Sequence, residues 1–169
     1  QLHLPFQSGN DRVLKEMNRR YTREQYLAEI NYAKSVMPGL VLTSDVIIGF
    51  PGETESEAMD TVSLVEEVGF DALFTFIYSP RPGTKAAAMP DPATRAEKQK
   101  WFDKLLEVQN ANSAKLHAAY VGKTVRVLVD GESDDENFPL ASRTEGNRLV
   151  RLKGDKSLIG SFIDVKITD

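Results

Sequence analysis

A glycine-rich turn at residues 49–53, with the sequence GFPGE, has the residue types to bring a ligand close to the backbone. Gly49 and Gly52 can adopt backbone angles that other residues avoid, and they carry no side chain to block a ligand. The dinucleotide pattern G-x-G-x-x-G and the phosphate-loop pattern G-x-x-x-x-G-K-[ST] are both absent, and Glu53 and Glu55 would repel a phosphate. The turn is therefore either an ordinary strand-to-helix connection or a strand end that meets a flat polar group such as an adenine edge.

A second candidate binding region lies near the C-terminus, where the basic segment 142–156 follows the acidic segment 130–136. The candidate phosphate contacts are Arg143, Arg148, Arg151, Lys153 and Lys156, and the candidate base or sugar contacts are Phe138 and Asn147. Cations that alternate along a strand are also typical of a solvated face, so both interpretations stay open. A phosphate-binding face would fix the position of an RNA rather than read its sequence.

The composition of the 169 residues excludes several classes of site. There is no cysteine, so the chain contains neither a disulfide framework nor a thiolate-bound metal or cluster. With only two histidines, His3 and His117, a histidine-rich metal site is not expected, and no metal ligand is predicted. A net charge of −4 argues against a globally basic nucleic-acid binder. No signal peptide and no apolar run of membrane length is found, so a cytoplasmic location is expected.

The elements that must position these residues alternate between strands and helices over the first 119 residues. The predicted order is a strand over 2–6, a helix capped by Asp11 and ending at Met17, a helix from Thr22 to the PG at 38–39, a strand over 40–50, a helix from Thr54 to Gly69, a strand over 71–79, a proline-rich loop over 80–92 and a helix over 94–119. Thr54 and Glu57 have the spacing of a capping box. This alternation predicts a parallel sheet with covering helices, and its strands are about half of those in a (β/α) barrel.

The pattern of the chain changes after residue 119. The short β-rich segments TVRVLVD, FPLASR, RLVRL and SFIDVKIT are separated by turn residues and predict a small all-β barrel. We therefore predict two domains, over residues 1–119 and 120–169. Because the chain begins with Gln1 and its first residues already have the pattern of a strand, we expect it to be a piece of a longer protein.

Three long motifs in collinear order resemble the methylthiotransferase family of radical S-adenosylmethionine (SAM) enzymes. They are HLPFQSGNDRVLKEMNRRYTREQY, TSDVIIGFPGETESE and FTFIYSPRPGTKAAAMPD, and the final β-rich segment resembles the TRAM domain, an RNA-binding β-barrel. The resemblance implies that residues 1–119 are the C-terminal half of a partial (β/α) barrel of the radical SAM type. It also implies that residues 120–169 are a small, OB-like TRAM barrel.

The resemblance implies a tRNA-modifying enzyme for the full-length protein. Enzymes of this family use SAM and two 4Fe–4S clusters to add a methylthio group. The segment YSPRPGT is most similar to the branch that acts on C2 of N6-dimethylallyladenosine next to the anticodon. Branches that act on threonylcarbamoyladenosine in tRNA or on a ribosomal protein stay open as alternatives. The expected partner is the tRNA anticodon loop, without DNA or membrane, and the full-length protein is expected to be a monomer.

The cluster-binding cysteines of the family, including its CxxxCxxC loop, are absent from this chain. We therefore expect the chain to hold no cluster, to contain no catalytic residue and to be inactive alone. Two interpretations of another class stay open: an RNA-binding module without catalytic function, and half of a metabolic (β/α) barrel. The metabolic barrel is disfavoured because catalytic carboxylates and lysines are scarce at the predicted strand ends.

The resemblance also implies which residues bind SAM and substrate. The implied SAM-binding residues are Gln7 and Ser8 on the ribose and methionine side, Arg19 at the carboxylate, and Ile48, Gly49, Phe50, Pro51 and Gly52 as the adenine wall. The implied substrate and RNA contacts are Tyr78, Ser79 and Arg81 at the barrel mouth, and Arg143, Arg148, Arg151 and Lys153 in the TRAM segment. Two alternatives stay open: Ser8 is a turn residue, and Arg19 is a solvated surface residue. Glu53 is expected to hold the turn rather than touch the ligand.

Overall fold

The computed structural model describes residues 1–168, which form two compact units. The first unit comprises residues 2–115, and the second comprises the residues from 116 onward together with Gln1. The described residues contain four α-helices and seven strands, which are named here in chain order. Each unit has a hydrophobic core of its own.

The first unit alternates strands with helices, as predicted. Its elements are β1 (Leu2–His3), α1 (Asp11–Glu16), α2 (Arg23–Val36), β2 (Leu42–Ile48), α3 (Glu55–Val68), β3 (Ala72–Ile77), a short 3-10 helix (Ala86–Ala88) and α4 (Arg95–Ala118), whose residues 116–118 group with the second unit. The strands form a sheet in the order β1-β2-β3, with Leu2 opposite Leu42 and Ile48 opposite Ile77. Both strand pairs are parallel, which confirms the predicted parallel sheet.

The helices of the first unit cover one face of this sheet. Leu42, Val46 and Ile48 of β2 are buried and share one core with side chains of α2, α3 and α4. Successive side chains of a strand point to opposite faces of a sheet. On the other face of β3, Phe74 and Phe76 are 57% and 54% exposed. Within the described residues, one face of the sheet is therefore packed and the other is open.

The helix starts agree with the prediction at α3 and differ from it at α1. Thr54 and Glu57 form the predicted capping box. The prediction that Asp11 caps α1 is wrong, because the side chain of Asn10 accepts the hydrogen bonds from the first backbone N–H groups of the helix. Asp11 is the first helical residue, and its carboxylate accepts a hydrogen bond from the backbone N–H of Arg23 at 2.7 Å. Asp11 therefore ties α1 to the start of α2.

Beyond the end of α4 the second unit consists of strands and one short 3-10 helix (Lys156–Leu158), which confirms the predicted small β unit. Its strands are β4 (Thr124–Asp135), β5 (Phe138–Thr144), β6 (Leu149–Leu152) and β7 (Phe162–Lys166). They form one curled antiparallel sheet in the order β6-β5-β4-β7 around Val127, Val129, Leu140 and Leu152. β4 is longer than predicted, because irregularities in its pairing with β5 allow it to continue through the acidic segment.

Candidate functional site

The carboxyl ends of the three parallel strands meet at one edge of the sheet. The backbone N–H of Ile47 donates to the carbonyl of Gln7 at 2.9 Å, and the N–H of Tyr78 donates to the carbonyl of Ile48 at 2.8 Å. The regions around Gln7, the turn 49–53 and Tyr78 therefore lie side by side. This edge is where ligands bind in folds with parallel sheets.

The turn 49–53 requires glycine at two positions. Gly49 and Gly52 both have a φ angle of +75°, in the left-handed region. At Gly49 there is a second reason, because a Cβ there would lie 2.5 Å from the Cδ of Lys98. A Cβ at Gly52 would meet its nearest neighbour, the Pro90 carbonyl oxygen, at 3.7 Å, so only the backbone angle demands glycine there. The path of the turn is therefore fixed at Gly49 by conformation and by packing together.

Glu53 closes the turn from within. Its Oε2 accepts hydrogen bonds from the backbone N–H groups of Gly49 at 2.5 Å and Phe50 at 3.1 Å. Its own N–H donates to the Phe50 carbonyl at 2.9 Å. Glu53 is 2% exposed, and this burial raises the pKa of its carboxyl to about 7. The prediction that Glu53 holds the turn is confirmed.

Lys98, which the sequence pattern did not single out, holds the turn from another side. It is 6% exposed, and its Nζ donates to the Gly49 carbonyl at 2.8 Å and to the Asp91 carboxylate at 2.5 Å. The helical spacing of the sequence does indicate that Lys98 is buried, because it places Lys98 on the same stripe of α4 as the buried Trp101 and Leu105. A lysine on a buried stripe must find partners, since an unpaired buried charge is costly.

Arg12, also not predicted, anchors the far end of the turn. Its Nη2 donates to the Gly52 carbonyl at 2.8 Å, and its guanidinium forms a bidentate ion pair with Glu57 at 2.5 and 2.7 Å. The hydrogen bond from Arg12 lowers the pKa of Glu57 to about 2, and the same bond raises the pKa of Arg12. Arg12 thereby joins α1 to the turn and to the first residues of α3.

The residues predicted to form one wall of an adenine pocket differ in their burial and in their contacts. Ile48 is 0% exposed and belongs to the helix-covered core, and Pro51 is buried as well. The ring of Phe50 lies 5.3 Å from the ring of Tyr78 in an edge-on arrangement. Within the described residues, the Tyr78 hydroxyl and the Oε1 of Glu53 are buried without a hydrogen-bond partner. Phe50 is 7% exposed, so this edge holds a largely buried aromatic ring against Tyr78 and two buried polar atoms without a partner.

The other residues predicted to bind the cofactor or the substrate differ in burial. Gln7 is 7% exposed and has a φ angle of 65°, an unusual left-handed angle for glutamine. The Oγ of Ser8 is buried and accepts a hydrogen bond from the backbone N–H two residues later at 3.2 Å, so Ser8 supports the turn before α1. Arg19, Ser79 and Arg81 are exposed. The structure thus brings Gln7 and Tyr78 to the turn and leaves the two arginines on exposed segments.

A groove of about 600 Å³ lies in the second unit. Arg148, Arg151 and Lys153 line it together with Tyr120 and Phe138. The guanidinium of Arg148 lies 4.8 Å from the ring centre of Tyr120, and the Nζ of Lys153 lies 5.7 Å from that of Phe138. Aromatic faces beside positive charge suit a nucleobase and its phosphate.

The predicted basic face is paired in part with the acidic segment. The acidic residues lie mostly on β4, whereas the cations that pair with them lie on β5 (Arg143), on β6 (Arg151) and just after β6 (Lys156). The ion pairs are Arg143 with Asp130 at 3.3 Å, Arg151 with Asp134 at 3.5 Å, and Lys156 with Glu132 at 2.8 Å. Such exposed pairs contribute little to stability. Arg148 and Lys153 are set apart from these three cations by their contacts with aromatic rings.

Residues 1–168 contain neither a metal-binding cluster of side chains nor a helix fit to span a membrane. In this part of the chain, no group of three or more histidine, aspartate or glutamate side chains is arranged to hold a metal ion. None of its helices combines the length and the apolar character that crossing a bilayer requires.

The sequence matches two family models, one in each unit. The radical SAM superfamily model matches residues 1–65, and the TRAM domain model matches residues 118–169. Among solved structures, the radical SAM enzyme coproporphyrinogen III oxidase from Escherichia coli aligns with a TM-score of 0.49 at 23% identity, covering 80% of this chain and 30% of that chain.

Curated relatives match almost the whole chain. The tRNA-2-methylthio-N(6)-dimethylallyladenosine synthase of Oceanobacillus iheyensis is 49% identical over 168 residues, which are 99% of this chain and 32% of that protein. Proteins of the same name from Thermoanaerobacter sp. (strain X514) and Clostridium botulinum (strain Langeland) are each 48% identical over 99% of this chain, which covers 36% and 37% of their lengths. The chain therefore spans about a third of the length of the curated relatives it matches.

Proposed function

The chain belongs to the methylthiotransferase family of radical SAM enzymes, and from this premise we propose that it is part of a tRNA methylthiotransferase. The proposed substrate is N6-dimethylallyladenosine next to the anticodon, which receives a methylthio group at C2 of its adenine ring. The shared name of the relatives from Oceanobacillus, Thermoanaerobacter and Clostridium supports this substrate.

Within that enzyme, the chain supplies two of the parts that the reaction needs. Residues 1–119 are the C-terminal half of the radical SAM barrel, and residues 120–169 are the TRAM barrel that binds RNA. Since the chain has no cysteine, the ligands of the two 4Fe–4S clusters belong to other parts of the protein, and the isolated chain does not turn over. The full-length enzyme works as a monomer in the cytoplasm on the tRNA anticodon loop, and it binds neither DNA nor a membrane.

The observation that carries the SAM site is the turn 49–53 at the strand ends. The turn is held by Glu53 and Lys98, while the Tyr78 hydroxyl and one oxygen of Glu53 are buried without a partner among the described residues. Buried polar atoms without partners are rare in folded proteins, and a polar ligand at this edge would satisfy the Tyr78 hydroxyl. These residues fit the adenine end of SAM, which supplies the methyl group and the radical chemistry when bound.

The turn recognises the adenine through its shape and its aromatic neighbours. The N–H groups of Gly49 and Phe50 already donate to Glu53, and the Gly49 carbonyl already accepts from Lys98. The adenine therefore meets side chains instead of these backbone groups, and Phe50, which is 7% exposed, supports that surface through its edge-on contact with Tyr78. The other proposed contacts are Ile48, Pro51 and Gly52 at the adenine, Gln7 and Ser8 at the ribose and methionine, Arg19 at the carboxylate, and Tyr78, Ser79 and Arg81 at the substrate.

The groove of the second unit holds an unpaired nucleotide of the tRNA. Arg148 and Lys153 neutralise phosphate, while Tyr120 and Phe138 offer their faces to the base. Arg143 does not line the groove, so its contribution to RNA binding is smaller.

Nucleoside mass spectrometry on tRNA tests the proposed substrate. In a strain that lacks the full-length gene, we expect 2-methylthio-N6-dimethylallyladenosine to disappear and N6-dimethylallyladenosine to accumulate, and the restored gene should reverse both changes. Loss of the methylthio group from threonylcarbamoyladenosine alone would contradict the proposed substrate. So would intact tRNA together with a ribosomal protein that lacks its methylthio group.

A further inference from the structure

Lys98 is a buried cation attached to the candidate adenine-binding turn. Its Nζ donates to the Gly49 carbonyl at 2.8 Å and to the Asp91 carboxylate at 2.5 Å. The same Nζ lies 6.0 Å from the ring centre of Tyr78. A single side chain thus connects the turn to the loop before α4, beside the aromatic surface of the site.

The backbone of Lys98 is held in place by the capped start of α4. It lies in the first turn of α4, where the backbone N–H and the hydroxyl of Thr94 both donate to Glu97 at 2.7 Å and cap the helix. The methylene carbons of Lys98 pack so closely on Gly49 that a Cβ there would lie 2.5 Å from Cδ. Because the side chain is 6% exposed and its Nζ donates to two acceptors, the position of the Gly49 carbonyl is tied to that of α4.

Two buried side chains, a carboxyl group and an ammonium group, hold the same short stretch of backbone. Glu53 accepts from the N–H groups of Gly49 and Phe50, and Lys98 donates to the Gly49 carbonyl. A hydrogen bond from a charged donor is stronger than a neutral one, and a buried carbonyl that loses its donor is destabilised. Without Lys98, the peptide between Gly49 and Phe50 would be held from one side only.

We propose that Lys98 is a positioning residue, which sets the Gly49–Phe50 peptide for the adenine end of SAM, and that Asp91 holds Lys98 in place for this task. The inference rests on the proposed SAM site. Lys98 acts through the turn and touches no reacting atom. Its influence is therefore confined to ligands that carry adenine.

Ligand binding by the full-length enzyme with its clusters in place tests this role. Three probes separate the two ends of the cofactor: SAM, 5′-deoxyadenosine and methionine. Lys98→Met keeps most of the apolar side chain and removes the charge. We expect it to weaken the binding of SAM and 5′-deoxyadenosine by about tenfold, the size of one lost charged hydrogen bond, and to leave methionine binding within about twofold.

Lys104→Met is the matched control, because Lys104 lies on the same helix and its side chain is 52% exposed. It should change none of the three affinities. Asp91→Asn keeps Lys98 and weakens only its anchor, and it should weaken both adenine ligands by about threefold. Should Lys98→Met fail to fold, Asp91→Asn decides the question.

Amide hydrogen exchange gives a second measurement that needs no ligand. The amides of the turn 49–53 should exchange faster in the Lys98 and Asp91 variants than in the control. Unchanged SAM binding, or equal weakening of all three probes, would overturn the positioning role. Failure of the unaltered enzyme to bind SAM would instead refute the proposed SAM site.

Discussion

Glu53 makes the stability of the chain depend on pH through one carboxyl group. Burial raises its pKa from 4.5 to about 7 in the folded protein. A carboxyl with a raised pKa contributes most to stability below its unfolded pKa, and this contribution is lost as the pH rises through the folded pKa. The contribution of Glu53 to the free energy of unfolding is therefore lost between about pH 4.5 and pH 7.

Glu53→Gln should remove this pH dependence, because the amide keeps the shape of the side chain and carries no charge. From pH 5 to pH 8 we expect the unfolding free energy of the variant to gain roughly 2 to 3 kcal/mol relative to the unaltered chain. Urea unfolding of both proteins across this range measures the difference. Glu57, with a pKa of about 2, affects stability only below about pH 4.5 and lies outside this window.

Glu55→Gln is the matched control for this experiment, since Glu55 is an exposed neighbour in the first turn of α3. Its pH profile should follow that of the unaltered chain. If Glu53→Gln also follows that profile, the buried carboxyl is not the source of the dependence.

At the residue scale, the sequence alone predicted those features of the candidate site that depend on residues close together in the chain. The left-handed Gly49 and Gly52 and the role of Glu53 depend on contacts within the turn itself. The partners of Lys98 and Arg12 at the turn are 49 and 40 positions away along the chain. Only the packing of α4 and α1 on the sheet brings them there, and no local pattern contains that information.

At the scale of elements, periodicity predicted the strands and helices of both units. It did not predict which charges would meet, because that depends on the register between strands. The segments 130–136 and 142–156 look separate along the chain, whereas Asp130, at the irregularity in the β4–β5 pairing, lies 3.3 Å from Arg143. The start of α1 was missed for a related reason: Asn10 and Asp11 are both good capping residues, and only the backbone angles choose between them.

The capping box of α3 links the stability of an element to the candidate site, because Thr54 follows Glu53 directly. Thr54→Ala removes the oxygen that accepts from the Glu57 N–H, and we expect it to lower the free energy of unfolding by about 1 kcal/mol. Chemical denaturation measures the loss. Ser56→Ala, at an exposed position of the same helix, should have a much smaller effect. Equal effects of the two changes would show that the cap contributes little.

At the scale of the whole molecule, each unit carries one candidate site of its own. The turn lies within residues 2–115, and the groove lies within the second unit. The two proposed functions, SAM binding and RNA binding, are therefore separable by mutation. A substitution in the groove should change tRNA affinity and leave the turn intact.

Arg148→Ala tests the groove against a matched arginine outside it. We expect this change to weaken binding of a tRNA anticodon stem-loop by about five- to tenfold and to reduce the salt slope by about one, because a phosphate contact and a stacked cation are lost together. Arg143→Ala removes an arginine that pairs with Asp130 and does not line the groove, so its effect should stay within about twofold. Fluorescence anisotropy at several salt concentrations measures both. Equal losses would point to a diffuse charge effect instead of the groove.

The open face of the parallel sheet is an exposed apolar patch through which copies of the chain in solution attract one another. Phe74 and Phe76 lie exposed two residues apart on β3, and only a modest net charge of −4 keeps copies of the chain apart. Salt screens this repulsion, and excluded salts such as sulfate strengthen apolar contact. The second virial coefficient of the chain should therefore fall steeply with ionic strength, and dilute, low-salt solutions are the conditions in which it stays dispersed.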